Sequence, residues 1–354
     1  MANTKSKASV RDVFSKIVSL YSYILVFIVI FLIYTITSKG GLTWSGAMNI
    51  FRHSTVIGII GLGMGIVCLT GAIDLSVGSM LAMVSGFSVM IFNLTGSIIL
   101  TLLFAIAFGA LLGLINGFFV GGVKMPAFIV TLATMLIFRS FSQWLCQHVP
   151  KGLIGGGSSV YKMSTEKDSF QTLYNFGNGN LATIPIVGIV LIIITLLFVF
   201  LVSNTKYGKK VYAVGSNEKA AEMAGVNVSA IKISVFVIAG IMVGIGSFIW
   251  VAMNASSDPA TTGSSYEMYA IAAVVLGGIA MSGGKGNCLG VIFGAMSYTI
   301  IDKIIVALKM DSLINDTIKG IILIVVILIQ VSGPQIKNFF SQKKIRKQLK
   351  ANNE

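Results

Sequence analysis

The sequence predicts an all-α integral membrane protein of about ten transmembrane helices with discontinuous segments, and three observations carry that expectation. Of its 354 residues, 55% are hydrophobic and only 11% are charged, whereas a soluble domain carries about 25% charged residues. Aliphatic runs of about 20 residues, the length of α-helix that crosses a bilayer, recur along the chain. A transmembrane barrel would instead show alternating segments of about ten residues.

In chain order, spans are expected near 17–37, 51–72, 77–95, 97–121, 126–147, 183–203, 232–254, 267–282, 288–307 and 314–332. The first follows a basic stretch, is too long for a signal-peptide core and lacks a small-x-small cleavage site, so it reads as an uncleaved span. An even number of spans puts both ends on one side, and the basic residues choose the side. Seventeen Lys and Arg fall on the side of the termini, among them Lys124, Lys206, Lys209, Lys210, Lys219, Lys232 and Lys285. Seven fall on the other: Lys39, Arg52, Lys151, Lys162, Lys167, Lys303 and Lys309. Both termini and the polar stretch 204–232 are therefore expected in the cytoplasm. The loop 148–182, rich in Gly, Ser, Asn and Thr, is expected outside, and a loop that long in a compact bundle is either functional or mobile.

The chain 1–354 reads as a single membrane domain, with a cytoplasmic arm at 1–16 and a basic cytoplasmic tail at 333–354. The formal charge of +14 reports this orientation and does not call for a nucleic-acid partner. Arg139 and Lys319 fall inside spans, where a charge must face protein or water.

Catalytic and metal chemistry find no footing. Cys68, Cys146 and Cys288 lie in or beside apolar runs without ligand spacing and read as free structural thiols. His53 and His148, the two histidines, lie near span ends in no recognisable catalytic context, which argues against a Ser-His-Asp hydrolase. The glycines around Lys285 do not form a phosphate loop, because that motif needs Gly-x4-Gly-Lys-Ser/Thr and here Gly286 follows the lysine. With no nucleotide site elsewhere, any ATP and Mg would be bound by another chain.

Three stretches stand out. In Thr70-Gly-Ala-Ile-Asp-Leu-Ser-Val-Gly-Ser79, an aspartate between two apolar runs is costly unless it is hydrogen-bonded. Asp74, Ser76 and Ser79 can bond nearby backbone or cap the next span, and Gly71 and Gly78 let the chain turn. The stretch is either a structural helix break or a solute contact. In Ser264 to Gly286, the small residues Ala270, Ala272, Ala273, Gly277, Gly278 and Ala280 permit close helix packing, and Glu267 caps the outer end. In the 204–232 stretch, Asn217 is an N-cap, Glu218 suits the first turn and Gly225 suits C′, which outlines a helix of about two turns. So short a helix is marginal in water and needs docking; Ala220, Ala221, Ala224 and Met223 offer a surface for it, with Glu222 beside them. Weak polar groups such as Asn116, Thr131, Thr134, Ser140 and Asn254 suit a path from which a hydroxylated solute leaves quickly.

Five pieces of the chain resemble the permease subunit of bacterial ABC sugar importers of the ribose/galactose type. They are Thr70–Ser79, Gly215–Asn227, Tyr266–Gly278, Ser282–Gly286 and Ile318–Gly320, in the family's order. The resemblance implies a type II ABC importer fold in the bacterial cytoplasmic membrane, not itself an enzyme. It implies a second permease copy, identical or paralogous, two ABC ATPase domains on separate or tandem chains, and a periplasmic or lipid-anchored solute-binding protein. It also implies that 217–225 is the helix seated in the ATPase. The solute would be a monosaccharide such as ribose or galactose; nucleosides, inositol and autoinducer-type sugars are alternatives, and an ion-coupled secondary transporter is the rival of another class. Two positions depart from the family pattern: Tyr269 stands where an Asp is usual, which puts in doubt a charge role at that helix end, and Ser216 stands where a Gly is usual. Spans 2–5 and 7–10 run in opposite directions, as in inverted-repeat transporters, which would put Asp74 at an inner joint and Glu267 at an outer one.

Overall fold

A computed structural model describes residues 22–38, 43–156, 159–310, 314, 317–322, 324, 325 and 328. The arm at 1–16, the tail at 333–354 and much of the tenth expected span lie outside the described residues. Among the described residues the fold is all-α but for four two-residue strands. Seven described helices are long and apolar enough to cross a membrane, so the expected ten is not matched in full. They are α2 (Trp44–Leu69), α3 (Val77–Thr95), α4 (Ile98–Gly117, continuing as a π-helix through Gly122), α5 (Ala127–His148), α7 (Ile186–Asn204), α10 (Val228–Asn254) and α12 (Leu289–Ala307). The first expected span appears as α1 (Ser22–Thr37). The eighth is a half-length helix, α11 (Tyr266–Leu276), because the chain turns at Gly277–Gly278, where Gly278 has φ +83°. The remaining helices are α6 (Phe170–Asn178), α8 (Lys206–Ser216) and α9 (Glu218–Met223).

The boundaries follow local chemistry. Thr43 accepts the Gly46 N–H at 3.1 Å and so starts α2 seven residues before the apolar run. Ser97 and Asn227 cap α4 and α10 in the same way, and Gly96, at φ +65°, ends α3. Each side-chain cap satisfies a backbone donor that the helix itself leaves free.

Helices α2, α3 and α10 form the buried centre, with α11 and α12 packed against α2 and α1 against α12. The outer faces of α4, α5 and α7 expose Leu103, Leu111, Leu136, Ile137, Leu196, Leu197 and Phe200. On a membrane protein that is the lipid face, since hydrocarbon solvates these side chains as well as a core would. Packing between α4 and α10 is close: a Cβ on Gly109 would collide with the Gly240 carbonyl and one on Gly113 with the Phe236 carbonyl. Glycine at every fourth position lets the two backbones touch, which dispersion then rewards.

The long loop at 148–182 is tied down at its described residues. Tyr161 and Lys162 pair antiparallel with Ser257 and Ser256. The buried Tyr161 hydroxyl donates to the Ser142 carbonyl at 2.8 Å. Asn93 holds the loop from the end of α3, donating to the Leu153 and Lys162 carbonyls and accepting the Ser164 N–H.

Candidate functional site

The polar side chains at the joint between α2 and α3, Thr70, Asp74 and Ser76, are buried. After Leu69 the chain runs through residues 70–76 without helix and α3 then begins. Asp74 is 1% exposed, and its Oδ1 accepts both the Ser76 N–H at 2.8 Å and the Ser76 hydroxyl at 2.6 Å. Asn116 on α4 donates to the same hydroxyl at 2.8 Å, and the Ser79 hydroxyl donates back to the Ser76 carbonyl. Of the two uses expected for Ser76 and Ser79, bonding nearby groups is realised; Ser76 makes no side-chain cap to α3. Asp74 Oδ2 and Asn116 Oδ1 have no hydrogen-bond partner in this cluster. A buried carboxylate oxygen in that condition is uncommon and marks a place of strain or of contact with something else.

The start of α11 meets this joint. A Cβ on Gly78 would collide with the Gly263 carbonyl and lie 2.6 Å from Glu267 Oε2. Glu267, expected at a joint on the side opposite Asp74, therefore lies against the first turn of α3, which follows the joint that carries Asp74. Ser265, just before α11, adopts φ +63°, a conformation that costs a non-glycine residue energy and persists only where its surroundings dictate it. Arg139 on α5 fastens the approach to α11, donating to the Pro259 and Thr262 carbonyls at 3.0 and 2.5 Å and facing the Asp258 and Glu267 carboxylates. Such irregular backbone at membrane depth is tolerated where protein encloses it.

Lys319 lies apart from that joint. Its ammonium is 2.8 Å from Asp302 Oδ1 and stands over the rings of Tyr269 and Tyr298, 4.8 and 5.5 Å from their centroids. Tyr269, the departure from the family pattern, thus supplies a π-face where a carboxylate was expected, and Asp302 supplies the charge. Of the scattered polar groups, Thr131, Thr134 and Asn254 bond carbonyls of their own helices, and Ser140 and Asn254 are exposed.

The polar segment after α7 folds into two helices. The sequence did not mark α8 as a helix, although Tyr207, Val211 and Val214 recur at helical spacing and turn inward. Thr205 caps it through the Gly208 N–H. Tyr212 donates to the Gly286 carbonyl at 2.8 Å, and the Gly284 N–H donates to the Leu69 carbonyl at 2.9 Å. The ends of α2, α8 and the 277–288 turn therefore meet at one end of the bundle. Next, α9 has the expected cap, Asn217 Oδ1 accepting the Ala220 N–H at 3.0 Å, and ends at Gly225 with φ +79°. Glu218 pairs with Lys232 at 2.7 Å. Ala221 is buried against the protein, whereas Ala220, Glu222, Ala224 and Gly225 are exposed and Met223 is 84% exposed. Among the described residues no group of His, Cys, Asp and Glu is placed to hold a metal ion.

A bundle of apolar helices enclosing polar helix breaks, with a small helix carried outside it, defines a multi-pass membrane transport protein. The chain belongs to the family described as branched-chain amino acid transport system / permease component, which matches residues 46–328. Among similar proteins, the ribose import permease protein of Escherichia coli K12 is 32% identical over 303 residues, 85% of this chain and 90% of that one. The ribose import permease protein of Bacillus subtilis 168 is 31% identical over 80% of this chain and 83% of its own. The autoinducer 2 import system permease protein of Yersinia pseudotuberculosis YPIII is 31% identical over 79% of this chain and 75% of its own. No solved structure matches.

Proposed function

We propose that this chain is the membrane-spanning subunit of an ATP-driven importer that moves a monosaccharide such as ribose or galactose inward across the bacterial cytoplasmic membrane. The observation that carries the reading is similarity over 85% of the chain to a ribose import permease. The partners are a second permease copy, ABC ATPase domains that bind ATP and Mg, and a binding protein that delivers the solute. Helix α9 is the coupling element: its exposed Met223 and Glu222 face away from the bundle, as a surface for the ATPase requires. The asymmetry of Lys and Arg supports a cytoplasmic position for α9 and both termini. Nucleotide-driven movement reaches the solute path only if α9 docks differently in the inward- and outward-facing states. The joint of α3 with α11 is where two irregular segments meet inside the bundle, and it is the part of the path best placed to rearrange.

Similarity to the autoinducer 2 permease supports a second reading, in which the cargo is an autoinducer-type sugar. The two readings share one mechanism and differ in the binding protein's ligand. Reconstitution with the ATPase and binding protein encoded beside this chain decides between them: ATP-dependent uptake of labelled ribose or galactose supports the first, uptake of autoinducer alone the second. Uptake driven by an ion gradient without ATP contradicts both.

A further inference from the structure

A cavity of about 390 Å³ opens between α2, α11, α12 and Lys319, within the range of small-molecule sites. Tyr266, Tyr269 and Tyr298 line it, with His53, Asp302 and Lys319. The tyrosine rings form a continuous wall: Tyr269 and Tyr298 have centroids 4.8 Å apart and Tyr266 lies 5.4 Å from Tyr269. Behind them Trp250 meets Tyr266 edge-on at 5.9 Å. Tyr266 precedes Glu267, whose carboxylate lies against Gly78 at the start of α3.

The geometry points to a solute-binding station for a neutral, polyhydroxylated ring, a deepening that rests on the sugar-import reading. Tyrosine faces suit the C–H face of such a ring, and the Asp302 carboxylate and Lys319 ammonium offer an acceptor and donors to its hydroxyls. Because these two ions neutralise each other at 2.8 Å, the station holds a neutral solute without separating charge. A branched-chain amino acid fits poorly. Its ammonium and carboxylate would have to break the Lys319–Asp302 pair, and its side chain would find one aliphatic wall, Ile57, among the described lining residues. Lys303 also lines the space, so an acidic sugar is the competitor to test.

Saturation-transfer difference NMR on the full-length chain in nanodiscs, with ribose, leucine and gluconate as probes, tests the station. Ribose is expected to give the strongest signal and leucine none. Tyr269→Leu and Tyr298→Leu are each expected to weaken ribose binding about tenfold, the size of one lost aromatic contact. Tyr269→Phe, which keeps the ring, retains binding, and His53→Leu on another wall weakens it independently. Ribose binding unchanged in the Leu variants, or absent from the wild type, overturns the station while the uptake assay still stands as a separate test of sugar import. Leucine binding in place of ribose overturns the sugar reading itself, and gluconate outbinding ribose overturns the neutral ligand.

Discussion

The Lys319 ammonium contacts the Asp302 carboxylate at 2.8 Å while standing 4.8 Å above the ring of Tyr269. Lys319 is only 5% exposed, so its charge is held by a neighbouring helix and by the π-face of the residue that departs from the family pattern. Removing one member of a buried pair leaves the other uncompensated, which costs more than the pair contributes. Since Asp302 is 39% exposed, water offsets part of that cost. Asp302→Asn is therefore expected to destabilise the protein by about 1–3 kcal/mol, read as a lower Tm in detergent. Adding Lys319→Met should recover at least half of the loss. A double variant no better than the single would show that the two charges are not coupled.

Asp74 makes its bonds through Oδ1, which accepts from the backbone and the hydroxyl of Ser76. Asparagine keeps that acceptor and alanine does not. Asp74→Ala should lower folding yield and cost about 1–3 kcal/mol, the worth of two buried hydrogen bonds, while Asp74→Asn keeps the fold. Comparing yield with uptake for the two variants separates the roles of the residue. A well-folded Asp74→Asn that no longer transports assigns the unpartnered Oδ2 to the solute path; one that transports normally makes the joint structural.

The crossing of α4 and α10 tolerates no side chain at Gly109, because a Cβ there would meet the Gly240 carbonyl. Gly109→Ala must push two backbones apart, at a cost of about 1–3 kcal/mol. At Gly122 the nearest atoms to a Cβ are 3.4 Å away, on the Phe118 ring, so Gly122→Ala should be mild. Size-exclusion profiles and Tm of the two variants check the contrast.

Much of the fold was legible in the sequence because a bilayer demands long apolar runs. The apolar stretch 77–95 is α3 to the residue, and 126–147 is α5 shifted by one. Span 267–282 misled because hydropathy cannot see that the helix stops at Leu276, where Gly277 and Gly278 end it inside the apolar run. At 204–232, α9 was readable from Asn217 and Gly225, both local signals, whereas α8 was passed over because its lysines hid the spacing of Tyr207, Val211 and Val214. Partners brought from distant helices left no trace in sequence: Asp302 for Lys319, the Pro259 and Thr262 carbonyls for Arg139, and Glu267 against Gly78. Asp74, Ser76 and Asn116 were each singled out by polarity alone. That they form one cluster is a property of the packing of α3 on α4.

Coupling through α9 is the central claim, and Met223 tests it most directly. Its side chain is 84% exposed, so Met223→Asp should leave the fold intact, within the ±0.5 kcal/mol typical of surface changes. Glu218→Ala should do the same, since an exposed pair such as Glu218–Lys232 contributes about 0–1 kcal/mol. In proteoliposomes holding the permease, its ATPase and its binding protein, solute-stimulated ATP hydrolysis is the quantity to measure. A buried aspartate in the α9 seat is expected to cut that stimulation at least about tenfold with Tm unchanged. Stimulation equal to wild type in Met223→Asp would contradict coupling through α9.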